Sequence, residues 1–296
     1  MKRFLSKIGL LVLVVLAIMT VADIAYTYVY VHTPPREKTK YIVQLKDKKI
    51  DYIFLGSSRV RNTIVTKMIE DATGKTALNL GIDGAKIDDI LLQLKLLVHN
   101  NVKFEKVFIQ IDYMYNGLGP SDIVGSQSLP YLRKNQVIAE QMKTHHPKFL
   151  PYYYVPFYRY LDNDYAIGFR MMLLNIIDRR KTDFADGFEP RSDEFANIGQ
   201  PLPDHIVARN EAFDQMQAYC KANHIDVIYF AAPYCDDMAS NPFHAMLRRR
   251  IPELHDYSAA ITDKKYFRDC RHLKTSGAEV FTQMIVNDFL TPKSAK

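Results

Sequence analysis

Two serines, Ser57 and Ser58, stand in the run GSSR at 56–59, directly after the strand-like stretch IDYIFL, while Asp269 and His272 stand together in DCRH near the other end of the chain. A serine hydroxyl becomes a nucleophile only when a base removes its proton, and a histidine oriented by a carboxylate is the usual device. The side chains needed to pass an acyl group through a serine ester are therefore all present. Gly56 permits a tight exit from the strand, after which side chains and N–H groups can be aimed into a crevice. In an open parallel sheet, ligands bind beyond the carboxyl ends of the strands, where strand-end loops and helix N-termini converge. GSSR occupies such an end, and DCRH precedes a final helix whose start should reach the same edge.

The elements that must hold these residues alternate. DYIFL (51–55), TALNL (76–80) and KVFIQI (106–111) read as buried strands. Thr66 to Ala72 reads as a short helix closed by Gly74, and IDDILLQLKLLVHN carries Ile87, Ile90, Leu91, Leu94, Leu97 and Val98 at helical spacing. An interruption follows at about 117–202, with the tyrosine-rich PYYYVPFYRY (151–160), a helical AIGFRMMLLNIIDRR (166–180) and the polar DGFEPRSDEF (186–195). It reads as a mostly helical insertion covering one rim, its tyrosines either packing it in place or offering flat faces to sugar rings. The rhythm resumes with an amphipathic helix over HIVARNEAFDQMQAYCKANHI, a strand DVIYFAAP (226–233), and a last helix SGAEVFTQMIVNDFL opened by a Ser276–Glu279 capping box. Strands and helices in this order predict an α/β domain with right-handed parallel crossovers.

The N-terminus carries a different signal. Lys2, Arg3 and Lys7 precede an unbroken apolar run from Ile8 to Ala22, which continues past Asp23 into IAYTYVYV. Taken to Val31 this is long enough to cross ~30 Å of hydrocarbon as a helix, with Tyr26, Tyr28 and Tyr30 where an interfacial aromatic belt would sit. The expectation is a retained anchor over residues 1–32, with cleavage after Ala22 as the alternative. Because the basic residues precede the run, the N-terminus is expected in the cytoplasm and the rest outside. HTPPREKTK then reads as a polar spacer within a linker at 33–47, and the α/β domain is expected over 48–292.

Charge and cysteine usage narrow the chemistry. Lys and Arg total 39 against 33 Asp and Glu, a net charge of +6 that suits an anionic envelope surface, and no nucleic-acid-binding module is present. The clusters at 179–180 and 248–250 read as solvated helix faces. Cys220, Cys235 and Cys270 lack CxxC spacing; a Cys235–Cys270 bridge would brace the DCRH loop, and free buried thiols are the plainer expectation. The nine histidines show no HExxH or comparable ligand spacing, and no phosphate-cradling glycine loop occurs, so neither a metal nor a cofactor is expected.

Over roughly 48–116 and 207–290 the chain resembles the SGNH/GDSL hydrolase superfamily, more narrowly its membrane-anchored extracytoplasmic branches that act on cell-envelope glycans. The resemblance implies a flavodoxin-like parallel sheet with helices on both faces. It maps the nucleophile of the first block onto Ser58, with Ser57 in place of the family's aspartate, and the last block onto Asp269 and His272, followed by HLKTSGA. The oxyanion donors it implies are the N–H groups of Ser58 and Gly81, the latter in NLGIDGA. The family's third block is replaced by IDYMYNG, where Asn116 stands as a shifted substitute donor and Asp112 lacks an assigned role. Loss of an oxyanion donor costs on the order of 10²–10³ in rate.

These readings converge on an extracytoplasmic serine esterase or O-acyltransferase, acetyl first among acyl groups, acting on a cell-envelope or exported polysaccharide. Arg59 and Arg61 are candidates for holding an anionic group on the glycan. A transferase would need a multi-span membrane acyltransferase as donor partner, since a single anchor holds no acyl-transporting channel. The competing expectation is a catalytically weak or inactive protein of the same fold that binds glycan or supports an acylation or export complex.

Overall fold

The computed structural model describes residues 1–177, 184, 186–192, 194–196 and 201–291. The basic flank and apolar run form one helix, α1 (Lys2–His32), whose most apolar window has a mean hydropathy of 2.7 and is 6% buried. It is long and apolar enough to span a membrane. The chain divides into two compact units, one of Met1–Lys40 with Asp122–Thr182 and the other of Tyr41–Ser121 with Asp183–Lys296.

In the first unit, burial on α1 begins at Asp23 and recurs at Thr27 and Tyr30, one helical face. The Asp23 carboxylate accepts both terminal nitrogens of Arg159 (2.9 and 2.8 Å), Arg133 Nη1 (3.2 Å) and the Phe157 N–H (2.6 Å). Tyr26 meets the Phe157 ring edge-on and Tyr160 at 5.1 Å, and the Tyr131 hydroxyl donates to the Tyr30 carbonyl. The expected aromatic belt is therefore corrected: Tyr28 is exposed, whereas Tyr30 is buried and Tyr26 packs against the helices at 158–162 and 149–154 side of the unit. Of the tyrosines in 151–160, Tyr152 and Tyr160 are likewise core residues, while Tyr154 is exposed. The helical stretch expected at 166–180 is resolved into Asp164–Ile167 and Phe169–Ile177, and its end with Arg179 and Arg180 lies outside the described residues. The spacer reading also gives way. Lys38–Gln44 is a short helix, and Lys40 is fully buried with its ammonium on Thr33 and Asn175, because the polar residues of this stretch found partners on the helix at Phe169–Ile177.

The second unit carries five parallel strands, β1 (Tyr52–Leu55), β2 (Ala77–Asn79), β3 (Lys106–Gln110), β4 (Val227–Ala231) and β5 (His255–Asp256), in the order β2-β1-β3-β4-β5. That is a doubly wound order with its switch point between β1 and β3. Helices flank the sheet. Tyr52, Phe54, Phe108 and Phe230 pack with Ile69 of helix Thr66–Thr73 and with Phe281, Ile285 and Val286 of helix Thr275–Phe289. Strand alternation turns Ile53, Leu55, Val107 and Ile109, all fully buried, to the opposite face. The helix expected over 205–225 begins only at Glu211, capped by Asn210 through the Phe213 N–H, and the last helix begins at Thr275 with no side-chain cap. The expected Ser276–Glu279 box is absent because the helix starts one residue earlier, straight out of the preceding strand, with Lys274 at the cap position. Two further short strands, β6 (Phe267–Asp269) and β7 (His272–Leu273), form an antiparallel hairpin before it.

The segment 186–196, expected within the insertion, belongs to the sheet-bearing unit. Its described residues run as a strap: the Asp186 carbonyl accepts the Asn79 N–H, the Glu189 N–H donates to the Arg61 carbonyl, and the Arg191 carbonyl accepts the Thr275 N–H. Gly187 has φ +71°, and a Cβ there would lie 2.0 Å from the Asn79 carbonyl oxygen, so the strap approaches β2 as closely as backbone permits. Beneath it, the buried Asn79 amide donates to the Val60 and Ile64 carbonyls (2.8 and 2.9 Å), and its Oδ1 accepts the Gly81 N–H (3.1 Å). One side chain thus ties the turn after β1 to the turn after β2. Asn79→Ala leaves these groups unpaired, at a cost of about 1–3 kcal/mol. The expected result is a thermal midpoint lowered by several degrees, at roughly 2–4 °C per kcal/mol for a unit of this size, read by circular dichroism on the full chain in detergent.

Candidate active site

The sequence places two adjacent hydroxyls after β1, and the local fold separates them. Gly56 lets the chain turn where a Cβ would lie 2.4 Å from Val60 Cγ2 and 2.9 Å from Gln110 Cβ. Ser57, in an extended conformation, caps the one-turn helix Ser58–Arg61 by accepting the Arg59 N–H (3.3 Å). Its own N–H and hydroxyl both donate to Gln110 Oε1 (3.1 and 3.0 Å), so Ser57 faces inward and is buried. Ser58 is half-buried, and its Oγ lies 2.8 Å from His272 Nε2.

The base and its partner come from the β6–β7 hairpin, in which Asp269 and His272 are paired across the ladder. Asp269 Oδ1 accepts the backbone N–H groups of Arg271 (2.9 Å) and His272 (3.1 Å), and His272 Nδ1 lies 2.9 and 3.0 Å from the two carboxylate oxygens. Burial alone would raise the Asp269 pKa, but the His272 ring and these backbone donors outweigh it and hold the carboxyl below its ordinary range. An ionised carboxylate only accepts, so Nδ1 carries the ring proton and Nε2 is left to accept from Ser58. The hairpin is held from its tip: a Cys235–Cys270 disulfide replaces the free thiols expected there, and the Cys235 N–H donates to the Cys270 carbonyl (3.2 Å). Cys220 is free and buried.

Four expected roles are corrected. Arg59 does not reach a substrate: helical rotation of about 100° per residue turns it inward from Ser58. Its side chain is fully buried, with Nε 3.1 Å from Asp112 Oδ2, Nη2 donating to the Ala232 and Pro233 carbonyls (2.7 and 2.8 Å), and the guanidinium 3.6 Å over the Tyr234 ring. Arg61 is ion-paired with both Asp83 and Glu189, so its charge is engaged by the scaffold. The Gly81 N–H is already given to Asn79; the residue is glycine because a Cβ would lie 2.4 Å from the Arg61 nitrogen and 2.7 Å from the Ser57 carbonyl. Asn116 uses both ends of its amide on the chain at 205–207, donating to the His205 carbonyl and accepting the Val207 N–H. The Ser58 N–H, at the open start of its helix, has no partner among the described residues.

Sequence reasoning missed the polar bed under the nucleophile. Asp112 neutralises Arg59 and also caps the turn Tyr113–Asn116 through the Met114 N–H (3.0 Å). Tyr234 lies between the Arg59 guanidinium and His244, whose ring is 4.8 Å away. Complete burial raises the Tyr234 pKa well above the ordinary phenol value, and burial lowers that of His244, so both stay neutral. The signal was present in the pairing of an arginine after Ser58 with an aspartate at the end of the third strand, since two opposite charges at adjacent strand ends in an apolar core must meet. Gln110, which orients Ser57, had no such signal.

Compared with protein-family models and with curated proteins, the chain matches none. Among the described residues, the one close group of three candidate metal ligands is Cys235, Asp237 and Cys270, and its two sulfurs are joined to each other. The arrangement left for chemistry is a hydroxyl in line with an imidazole and a carboxylate, which can deliver an activated serine to an electrophilic carbon and return the proton to a leaving group.

The depressed Asp269 carboxyl has a testable consequence. A group whose folded pKa lies below its unfolded value, ~3.9 for aspartate, contributes stability above that value and loses it as pH falls through the folded pKa. Relative to Asp269→Asn, the wild-type chain is expected to be more stable in urea at pH 6, with the advantage vanishing as the pH is brought well below 4; an unchanged difference would show that the carboxylate is not held by these donors.

Proposed function

We propose that this protein is an extracytoplasmic serine esterase or O-acyltransferase that moves an acyl group, acetyl foremost, on a cell-envelope or exported polysaccharide. The observation that carries the reading is the unbroken Ser58 Oγ, His272 Nε2 and Nδ1, Asp269 relay, whose ends are 214 residues apart in sequence. The order of strands and the places of GSSR and DCRH agree with the resemblance to SGNH/GDSL hydrolases. Lys2, Arg3 and Lys7 precede α1, so the positive-inside rule puts the N-terminus in the cytoplasm and both units outside, where the disulfide persists.

In this reading Ser58 Oγ attacks the ester carbonyl as His272 Nε2 takes its proton, and Asp269 stabilises the imidazolium. The Ser58 N–H faces the developing oxyanion. Collapse breaks the ester bond, His272 protonates the departing alcohol, and Ser58 carries the acyl group until water or a sugar hydroxyl removes it. For transfer, a multi-span membrane acyltransferase is the partner that would supply the donor. A second reading, a weak or inactive glycan-binding protein of the same fold, is favoured by one observation: Gly81 and Asn116 are committed elsewhere, so only one backbone oxyanion donor is open.

The test is acetyl release from p-nitrophenyl acetate by the full chain in detergent. Ser58→Ala and His272→Ala are expected to lose turnover by at least about 10³-fold, whereas Ser57→Ala, whose hydroxyl faces Gln110, keeps most of it. A folded wild-type chain as inert as its Ser58→Ala variant would decide for the second reading.

A further inference from the structure

We infer that the first unit carries a site for the headgroup of an anionic phospholipid, on the face where α1 leaves the apolar run. A cavity of about 500 Å³ opens there, lined by Asp23, Ile24, Tyr28, Arg133, Lys134 and Arg159 among others. Its height follows from helix geometry. The apolar run ends at Ala22, so Ile24 and Tyr28 rise only about 3–9 Å beyond it, within a headgroup layer that is about 5–8 Å deep.

The lining is charged in one sense. Three cations, Arg133, Lys134 and Arg159, face a single carboxylate, Asp23. Asp23 is saturated by Arg159, Arg133 and the Phe157 N–H. Two donors are then left over: the Arg159 Nε, buried without a hydrogen-bond partner on a side chain 1% exposed, and the exposed Lys134 ammonium, which makes no ion pair or hydrogen bond with the described residues. A phosphate monoanion is the charge this set lacks.

The other wall is apolar and continuous with the span. Ile24 and Tyr28 are each 64% exposed and lie on one helical stripe with Val21, Val14 and Leu10, all exposed and spaced to run down the apolar stretch. An alkyl chain can follow that stripe while its phosphate stays with Lys134, a combination inorganic phosphate cannot use. A neighbouring transmembrane segment would cover the stripe but bring no anion to the cations. Exposed Tyr154 and Leu161, on the helices flanking Arg159, add apolar contact at the same level, since the intervening Phe157 N–H is bonded to Asp23.

This inference is independent of the ester chemistry, because Ser58 turnover is not its readout. The full chain in detergent is titrated with phosphatidylglycerol or phosphatidylcholine and bound lipid is counted by native mass spectrometry, with Lys134→Glu compared to wild type and thermal melting used to confirm an unchanged fold. The expected result is preferential retention of phosphatidylglycerol, weakened roughly twentyfold by the charge reversal. Equal retention of both lipids, or indifference to Lys134→Glu, overturns the proposal. Displacement of the lipid by an equal concentration of inorganic phosphate assigns the site to free phosphate and overturns it too, as does a variant that keeps its lipid but loses a co-purifying membrane protein.

Discussion

A 2.8 Å hydrogen bond between side chains 214 positions apart leaves little slack, and much of the second unit is organised around it. The serine end is fixed by a turn in which glycine at 56 and at 81 allows backbone to approach where a methyl group would collide. Asn79 clasps both turns from below, and Arg59 drives a buried charge from the next helical position into Asp112 at the end of β3. Removing one partner of such a pair leaves an uncompensated charge in the core, costing about 3–5 kcal/mol. The pair therefore acts as a register pin: helix Ser58–Arg61 cannot rotate without exposing it.

The histidine end depends on a different device. A hairpin of two short strands has few ladder bonds, and two-stranded pieces are marginal by themselves. Here the aspartate serves as both ladder partner and hydrogen-bond acceptor for two backbone N–H groups, so the catalytic carboxylate also shapes its own turn. The disulfide joins the tip of this turn to the segment after β4, and the strap at 186–196 meets β6 through the Ala196 N–H and Arg268 carbonyl.

Much of this was legible because strand ends in a parallel sheet are functional positions and carry composition that burial does not explain. Strand-like runs, Gly74 as a left-handed cap and the two halves of the relay followed from residue type and spacing. What failed were assignments that depend on which way a side chain points. Arg59 and Arg61 look alike in sequence, yet 3.6 residues per turn sends one into the core and leaves the other beside Asp83 and Glu189. Gly81 and Asn116 were assigned by what they could donate, whereas their donors are consumed by nearby acceptors that no linear pattern reveals. The spacer at 33–47 misled for a related reason: a polar run reads as solvated, but Lys40 is polar because it is buried among polar partners.

The staple between Cys235 and Cys270 also sets a timing. It closes over 35 residues that include β5 and most of the path to Asp269, so it can form only after nearly the whole chain has been made. A freshly synthesised chain in a reducing compartment would hold the same three side chains without the covalent tie that keeps their hairpin in place. Competence would then be acquired on arrival in an oxidising compartment rather than at synthesis, which separates the place where this protein is built from the place where its serine is armed.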